Sequence, residues 1–452
     1  MDDPIFASAH KLASAIQSAE VSSTDIVDAY LAQIAHHNPK LNAVVTLDEE
    51  GARRQAREAD GALERGETWG PLHGVPITLE DCHATMGVRS TWGGYPSLAD
   101  HVPSEDSVVS ARLKAAGAIV MGKTNGPLIW GSDNVFGRTN NPWDTKRTPG
   151  ESSGGPAAAV AAGLAAFDIG LDTIASILYP SHCCGIFGMR PSDGRVSLKG
   201  SFFIDPIQKF HIMSVIGPMA RSVEDLRLAL QVISGPDNRD PSVPPMPWRE
   251  SPAPVARDLC VAWASTLPGV PIIAETRMAI EGLANHLDRQ GARVQQCLPE
   301  VDFAEQYQFA DETFWLIGGT FGPEGEQRAL LEDYLAALKR RETFVLAWDQ
   351  FFRDWDILLC PVDPGVAPLH EAAVIVDGEP VAEEQADTLG ACSPVSGCPM
   401  VVIPLTQSQE GLPIGVQVIG KRWEDERLLT IAQLLSELTP GFQRPPNYGD
   451  SV

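Results

Sequence analysis

Short β-like runs and amphipathic helical stretches alternate along almost the whole chain, and this alternation is the feature that most limits its fold. The pattern begins with apolar residues at helical spacing from Ile26 to Ile34, followed by the β-like run Ala43–Leu47. Similar runs recur as far as Ile414–Ile419, and a last helical stretch covers Glu426–Leu438. Strands that alternate with helices are typical of α/β proteins. We therefore predict an α/β layered fold with one main sheet.

The composition is that of an ordinary soluble globular protein, with 44% apolar and 21% charged residues. Its 34 basic residues against 59 acidic ones give a formal net charge of −25. This charge opposes binding to nucleic acid or to anionic lipid, and no basic run offsets it, so we expect neither partner. The longest weakly polar stretch, Gly154–Leu171, is interrupted by Pro156 and Asp168, which predicts a tightly packed helix rather than a membrane span.

The cysteines indicate a reduced, cytoplasmic protein without a metal site. Eight cysteines in 452 residues are too few for a disulfide scaffold, and none forms a Cys-x-x-Cys pair. The acidic start of the chain also lacks the basic and apolar regions of a secretory signal. The pairs Cys82-His83 and His182-Cys183 favour buried thiols and ordinary histidines over zinc, because adjacent residues seldom ligate one ion. His73 is expected to hold its loop.

Two short motifs match known enzyme signatures only in form. Residues 117–124 satisfy the phosphate-loop pattern G-x-x-x-x-G-K-T, but such a loop needs a strand before it, and here a helix precedes a strand-like run. Residues 150–154 satisfy the G-x-S-x-G pattern of α/β-hydrolases, yet the preceding segment 138–149 is too polar for the required strand. Neither motif predicts the site.

A larger set of short blocks, found in order along nearly the whole chain, explains both motifs. The Ser/Gly-rich segment 148–155 is followed by a small-residue helix and by the segment 170–177. Together with further blocks, these segments resemble the amidase signature family. Only residues 236–350 lack a matching pattern, and in that family this part varies with substrate. The further blocks are 70–77, 122–125, 141–143, 184–191, 217–221 and 411–417.

The resemblance implies an α/β amidase-signature fold, with a large mixed central β-sheet sandwiched between layers of α-helices. It implies a single domain over residues 1–452, in which 1–235 form the core with the signature region. Residues 236–350 would form a variable substrate-side region, and 351–452 would return to the core sheet. The family cleaves carboxamides with a Ser-Ser-Lys triad, so no metal or organic cofactor is expected.

Both catalytic serines of the family match serines in this chain. The nucleophile matches Ser176, and the bridging serine, which follows a cis peptide bond in the family, matches Ser152 at the required spacing. In that mechanism a neutral lysine accepts a proton from the bridging serine, which accepts one from the nucleophile. Backbone N–H groups beside the nucleophile hold the oxyanion. The oxyanion and site-loop positions are Thr173, Ile174, Ala175 and Ser153, with Asp172 expected to bond the backbone of this turn.

The family's lysine is absent, and Glu80 stands in its place. The family segment reads G-V-P-[IV]-x-[VL]-K-[DE], whereas here Gly74–Leu79 is followed by Glu80 and Asp81. An ionised carboxylate at about 4 Å would oppose a developing oxyanion by roughly 4 kcal/mol at an effective dielectric near 20, which would slow the reaction about several hundred-fold or more. Glutamate is also a weaker base than lysine, although burial could raise its pKa.

Other family positions change beside the same site. Glycines before the nucleophile become Ile174 and Ala175, and a β-branched residue does not easily adopt backbone angles that are open to glycine. The glycine before the bridging serine becomes Glu151, and the arginine two residues past the nucleophile becomes Leu178. We expect Glu151 and Leu178 to contact substrate. Because the changes cluster, they are typical of a site rebuilt for another reaction.

Three hypotheses follow. The first is amide or ester hydrolysis through Ser176, with Glu80 as an unusual base. The second is a repurposed enzyme in which Glu80, Ser152 and Ser176 transfer protons in a cyclisation, isomerisation or acyl transfer. The third is a catalytically inactive binding or partner protein, in which Glu80 pairs with a base such as Arg190. We expect a small-molecule substrate, and a homodimer is an open alternative because many relatives pair.

Overall fold

The structure, a computed structural model, describes residues 3–127, 134–201, 213–318 and 330–448. Its strands are β1 (Val44–Leu47), β2 (Pro76–Glu80), β3 (Ile119–Thr124), β4 (Phe167–Asp172), β5 (Phe187–Arg190), β6 (Val215–Ala220), β7 (Cys260–Trp263), β8 (Arg293–Gln296), β9 (Ile357–Pro361), β10 (Ile375–Val376), β11 (Glu379–Pro380), β12 (Met400–Gln407) and β13 (Pro413–Gly420). Its helices are α1 (Ala9–Gln17), α2 (Ser23–Leu41), α3 (Glu49–Glu64), α4 (Val108–Ala115), α5 (Gly154–Ala161), α6 (Leu178–Cys184), α7 (Val223–Ile233), α8 (Ala274–Arg289), α9 (Phe303–Gly318), α10 (Leu331–Phe351), α11 (Glu383–Gly390), α12 (Cys392–Ser396) and α13 (Asp425–Ser436).

The large sheet is mixed and contains strands from distant parts of the chain. Its order is β4-β6-β5-β12-β13-β9-β7-β8. The pairs β7–β8 and β7–β9 are parallel, and the other neighbouring pairs are antiparallel. Helices α6, α7, α8 and α13 pack against its strands. The predicted α/β fold with a large mixed sheet is confirmed.

A second sheet of three strands, in the order β1-β3-β2, lies beside the first. Strand β2 runs along β4, because Thr78 Oγ1 donates to Asp168 Oδ2 at 2.5 Å and Leu171 N donates to Glu80 Oε2 at 2.9 Å. The carboxyl-terminal end of β2 therefore lies against that of β4. The alternating pattern predicts one main sheet and does not reveal this second one, since pairing depends on partners far away in sequence.

The small-residue segment after residue 153 forms a helix and a strand, so the single helix predicted over Gly154–Leu171 is wrong. Helix α5 ends at Ala161, and Gly163 has a left-handed φ of 71°, which ends a helix at little steric cost. Every residue of α5 is buried. A Cβ on Gly155 would lie 2.2 Å from Asn125 O, so glycine is required where this helix meets the end of β3.

The region of the phosphate-loop motif is a helix followed by a strand. Helix α4 precedes Gly117, and the residues after it form β3. This confirms the rejection of that motif. The helix is capped by Ser107, whose side chain accepts a hydrogen bond from Ser110 N at 3.1 Å, so the start predicted at Ser104–Asp106 is wrong by a few residues. Among the described helices, none combines the length and the apolar character that crossing a membrane requires.

Candidate active site

Ser176 lies in a tight turn between β4 and α6. The turn is closed by Asp172, the last residue of β4, whose Oδ2 accepts a hydrogen bond from Ile177 N at 2.7 Å. Ile177 is the N-terminal cap of α6, so the serine stands at the start of a helix. Ser176 is partly exposed, whereas its neighbours Ala175 and Ile177 are buried. The backbone bond expected from Asp172 is confirmed.

A buried ion pair holds this turn from below. Arg190, at the end of β5, donates to Asp172 Oδ1 at 2.8 Å and to the Asp172 carbonyl at 2.9 Å. Both side chains are completely buried. Arg190 also donates to the carbonyl of Met213 and, at 3.3 Å, to Asp193 Oδ1. A buried arginine with several acceptors and a paired carboxylate fixes one geometry of the turn, because breaking such a pair would leave an uncompensated charge.

The backbone of the turn leaves amide groups available. Within the described residues, none of the N–H groups of residues 173–176 donates to a protein acceptor. Ala175 has a left-handed φ of 60°, which costs an alanine about 1 kcal/mol, whereas Ile174 avoids that region. The strain thus falls on the smaller side chain. Thr173 Oγ1 lies 2.9 Å from Ser214 Oγ.

Ser152 and Ser153 occupy the turn that leads into α5. Gly150 packs so closely on α6 that a Cβ there would lie 2.6 Å from Pro180 Cα, which brings this turn beside the nucleophile's helix. Ser152 is partly exposed, and Ser153 is fully buried. All peptide bonds in the described residues are trans, so the cis bond expected before Ser152 is absent there.

Glu80 ends β2 and is fully buried against the two serine-bearing segments. Ser153 Oγ donates to Glu80 Oε2 at 2.7 Å, and Leu171 N donates to the same oxygen at 2.9 Å. The other oxygen, Oε1, is buried and has no hydrogen-bond partner among the described residues. A Cβ on Gly126 would lie 2.4 Å from Oε1, so this oxygen points at a glycine backbone. The carboxyl thus contacts Ser153 rather than Ser152.

Burial raises the pKa of Glu80 to about 8, although the bonds from Ser153 and Leu171 lower it. The side chain is therefore mostly neutral at pH 7. A protonated Glu80 would donate to Ser153 Oγ, which frees the serine hydroxyl for the Leu171 carbonyl at 3.2 Å. An ionised Glu80 would instead leave one charged oxygen buried and unpaired, which is costly. The repulsion of the oxyanion expected for an ionised Glu80 is thus reduced near neutral pH.

The alternative in which Glu80 pairs with Arg190 is wrong, because Arg190 bonds Asp172 and Asp193 instead. The buried cation nearest in chemistry to the absent lysine is Lys123 on β3, whose Nζ donates to His83 O at 2.6 Å and to Thr85 Oγ1 at 3.2 Å. Burial lowers the pKa of Lys123. The sequence offers no sign of these contacts, since they depend on how β2 and β3 pair.

The histidines beside the buried cysteines serve as structural links. His83 lies 2.9 Å from Ser201 Oγ and 3.0 Å from Ile169 O, and burial lowers its pKa to about 3. His182 accepts from Gly415 N at 3.0 Å and lies 2.9 Å from Gly365 O. No group of three or more His, Cys, Asp or Glu side chains among the described residues is arranged to hold a metal ion. His73 accepts from Trp69 N at 3.0 Å, which ties its loop together.

Acidic residues from three segments gather around the nucleophile turn. Burial raises the pKa of Glu151 to about 8, and repulsion from Asp387, Glu383 and Asp363 adds to it. Burial likewise raises the pKa of Asp363 to about 7 and that of Asp387 to about 7. The sequence analysis missed Asp363 and Asp387, because neither stands in a recognisable motif. Leu178, in contrast, is fully buried in an apolar cluster, and its contact with substrate stays a prediction.

Comparison with known proteins agrees with this architecture. The family model described as Amidase matches residues 25–315 and 315–429. The chain belongs to the amidase signature family. A glutamyl-tRNA(Gln) amidotransferase subunit from Roseiflexus sp. (strain RS-1) is 33% identical over 485 aligned residues, which cover 96% of each chain.

Two further relatives extend the comparison. The indoleacetamide hydrolase of Bradyrhizobium diazoefficiens is 33% identical over 452 aligned residues, covering 94% of this chain and 85% of the hydrolase. A solved structure described as a vestigial protein complex that reveals the evolutionary origins of an s-triazine catabolic enzyme superposes with a TM-score of 0.84 at 28% identity. That match covers 97% of this chain and 100% of the other. The amidase signature relatives of this chain are enzymes.

Proposed function

We propose that this amidase signature protein hydrolyses a carboxamide of a small molecule through an acyl-enzyme on Ser176. The observation that carries the proposal is the turn around Ser176, which keeps its buried support and presents backbone N–H groups that bond no described acceptor. Such groups stabilise the negative oxygen of a tetrahedral intermediate. The curated relatives include an indoleacetamide hydrolase, whose name describes the same class of reaction.

In the proposed reaction, Ser176 Oγ attacks the carbonyl carbon and its proton passes to Ser152. Residues 174–176 donate backbone hydrogen bonds to the oxyanion. The amine leaves with a proton, and water then attacks the acyl-enzyme and releases the acid, which regenerates Ser176. Glu80 in its ionised form accepts the proton through the serine pair. Because its pKa is raised to about 8, this form is a minority at pH 7.

The test is labelling with a fluorophosphonate probe, followed by intact mass and peptide mapping. We expect one label on Ser176 in the unmodified chain and none in Ser176→Ala, which is the matched control. The labelling rate should rise between pH 7 and pH 9 as Glu80 ionises, and Glu80→Gln should remove this rise. An unlabelled wild-type protein would contradict the proposal.

A second candidate is a non-hydrolytic reaction, such as a cyclisation, an isomerisation or an acyl transfer. It is favoured by the position of Glu80, whose carboxyl bonds Ser153 and has a raised pKa suited to proton transfer. Labelling of Glu80→Lys but not of the wild type would support this candidate, because it would show that the acyl-transfer machinery needs the family's lysine. Labelling of neither protein would favour a binding or partner role.

We also propose that the substrate is the partner of this chain, without a metal or organic cofactor, and that the protein is cytoplasmic. A homodimer stays a prediction, which light scattering on the purified chain would test. The relatives named as subunits of an amidotransferase make a protein partner an alternative outcome of the same measurement.

A further inference from the structure

Three segments bring carboxyl groups to the turn that carries Ser176. Glu151 precedes Ser152, and the adjacent Gly150 packs on α6. Asp363 lies in the loop after β9, and this loop is tied to α6 by the 2.9 Å contact between His182 Nε2 and Gly365 O. Each segment is thus held close to the nucleophile's helix by direct contacts.

Helix α11 brings the third group. A Cβ on Gly390, its last residue, would lie 2.8 Å from Ala175 Cβ, so the helix end abuts the nucleophile turn. Glu383 and Asp387 are four residues apart on α11 and therefore share a face. Gln417 Nε2 donates to the carbonyls of Pro361 and Leu389, at 2.6 and 3.4 Å, which fixes α11 against the end of β9.

These carboxyl groups have no cationic partner within the part of the chain that the structure describes. The interactions that act on Glu151, Asp363 and Asp387 come from burial, other acids, a tyrosine and a backbone amide, with no Lys, Arg or His. Buried carboxyls are normally paired with a cation. The contrast with Asp172, which is paired with Arg190, is direct.

Asp363 points independently to a ligand. It is 95% buried, since its exposed fraction is 5%, and its Oδ1 accepts from Gly365 N at 2.9 Å. Its Oδ2 accepts no hydrogen bond from a described residue, and it is not among the oxygen atoms sealed inside the protein. This oxygen therefore faces accessible space. Glu151 is also partly exposed, and its carboxyl makes no hydrogen bond within the described chain.

We propose that the substrate carries a protonated amine or guanidinium group, which lies among Glu151, Asp363 and Asp387 while its carboxamide faces Ser176. This inference rests on the proposed function for the position of the carboxamide. The spacing of the acids suits an organic cation, because no described group of three such side chains is arranged for a metal ion. The net charge of −25 would also attract a cationic substrate towards the protein.

The test is calorimetric titration with two matched ligands, 4-(aminomethyl)benzamide and 4-methylbenzamide, which differ in one ammonium group. The full chain carries Ser176→Ala so that neither ligand is consumed. We expect the cationic ligand to bind about ten-fold more tightly or better, because it offsets buried negative charge. Adding Glu151→Gln should reduce this preference by about three-fold or more, whereas Glu58→Gln, on the exposed side of α3, should leave it unchanged.

Equal or tighter binding of the neutral ligand, a preference that survives Glu151→Gln, or no binding of the cationic ligand would each overturn the inference. If Glu151→Gln fails to fold by circular dichroism, Asp387→Asn gives the same comparison. The proposed function fails separately. Cation binding without fluorophosphonate labelling of Ser176 in the wild type would contradict hydrolysis alone, and labelling without a cation preference would contradict the inference alone.

Discussion

The two sides of the active site contain buried carboxyl groups that are treated in opposite ways. On the nucleophile side, Asp172 is fully buried and pairs with the equally buried Arg190. On the facing side, Glu80 is fully buried and, among the described residues, accepts hydrogen bonds only from a serine hydroxyl and a backbone amide. A buried carboxyl without a cation becomes protonated, because desolvation penalises its charge. The comparison teaches that the partner, and not burial alone, decides whether an acid in this core remains charged.

The largest expected effect would sharpen this comparison at Glu80. The folded pKa of about 8 lies above the ordinary value of 4.5, so between these values the folded state binds the proton that the unfolded state has lost. Stability from the neutral acid is therefore fully present below pH 4.5 and is lost as the pH rises through 8. The free energy of unfolding should fall by on the order of 5 kcal/mol over this window.

Urea unfolding of the wild type and of Glu80→Gln at pH 5, 6.5 and 8 would measure this loss. Glutamine mimics the neutral acid and does not titrate, so the variant should lack that part of the decline. Both proteins keep Asp168, whose pKa burial raises to about 6, so the difference between the two curves isolates Glu80. Parallel curves would show that Glu80 is not protonated in the folded protein.

A slightly smaller effect is expected on the nucleophile side. Arg190→Met would leave Asp172 buried without its cation, which should lower the free energy of unfolding by about 3 to 5 kcal/mol. It should also abolish fluorophosphonate labelling of Ser176, because the turn loses its support. The matched control is Arg53→Met, which removes an exposed pair with Asp28 and should cost less than about 1 kcal/mol. Equal costs for the two variants would break the comparison.

The smallest effect concerns strain in the turn. Ala175→Gly relieves a φ of 60°, and after the added entropy of the unfolded glycine the net gain should be about 0.5 kcal/mol. Ala19→Gly, at an exposed residue with a φ of 56°, is the control and should give a similar gain in thermal unfolding. Only Ala175→Gly should alter the labelling rate of Ser176. An identical rate would mean that the strained alanine does not position the oxyanion donors.

Local signals predicted most of the elements but not all of their limits. The apolar spacing from Ile26 to Ile34 lies within α2, and the run Ile414–Ile419 lies within β13. Ala- and Gly-rich residues carry little periodicity, so the boundary between α5 and β4 was missed. The three-stranded sheet was missed because β1, β2 and β3 are partnered across segments that no short pattern connects.

By itself, the sequence determined the family, the fold class, the matching positions of Ser152 and Ser176, and the replacement of the expected lysine by Glu80. These properties are carried by residue identity and spacing along the chain. Only the tertiary structure decided that Glu80 bonds Ser153 and is mostly neutral, and that Glu151, Asp363 and Asp387 converge. The physical reason is that solvation and Coulomb energy depend on distances in space, and these residues meet only when strands and helices far apart in the chain pack together.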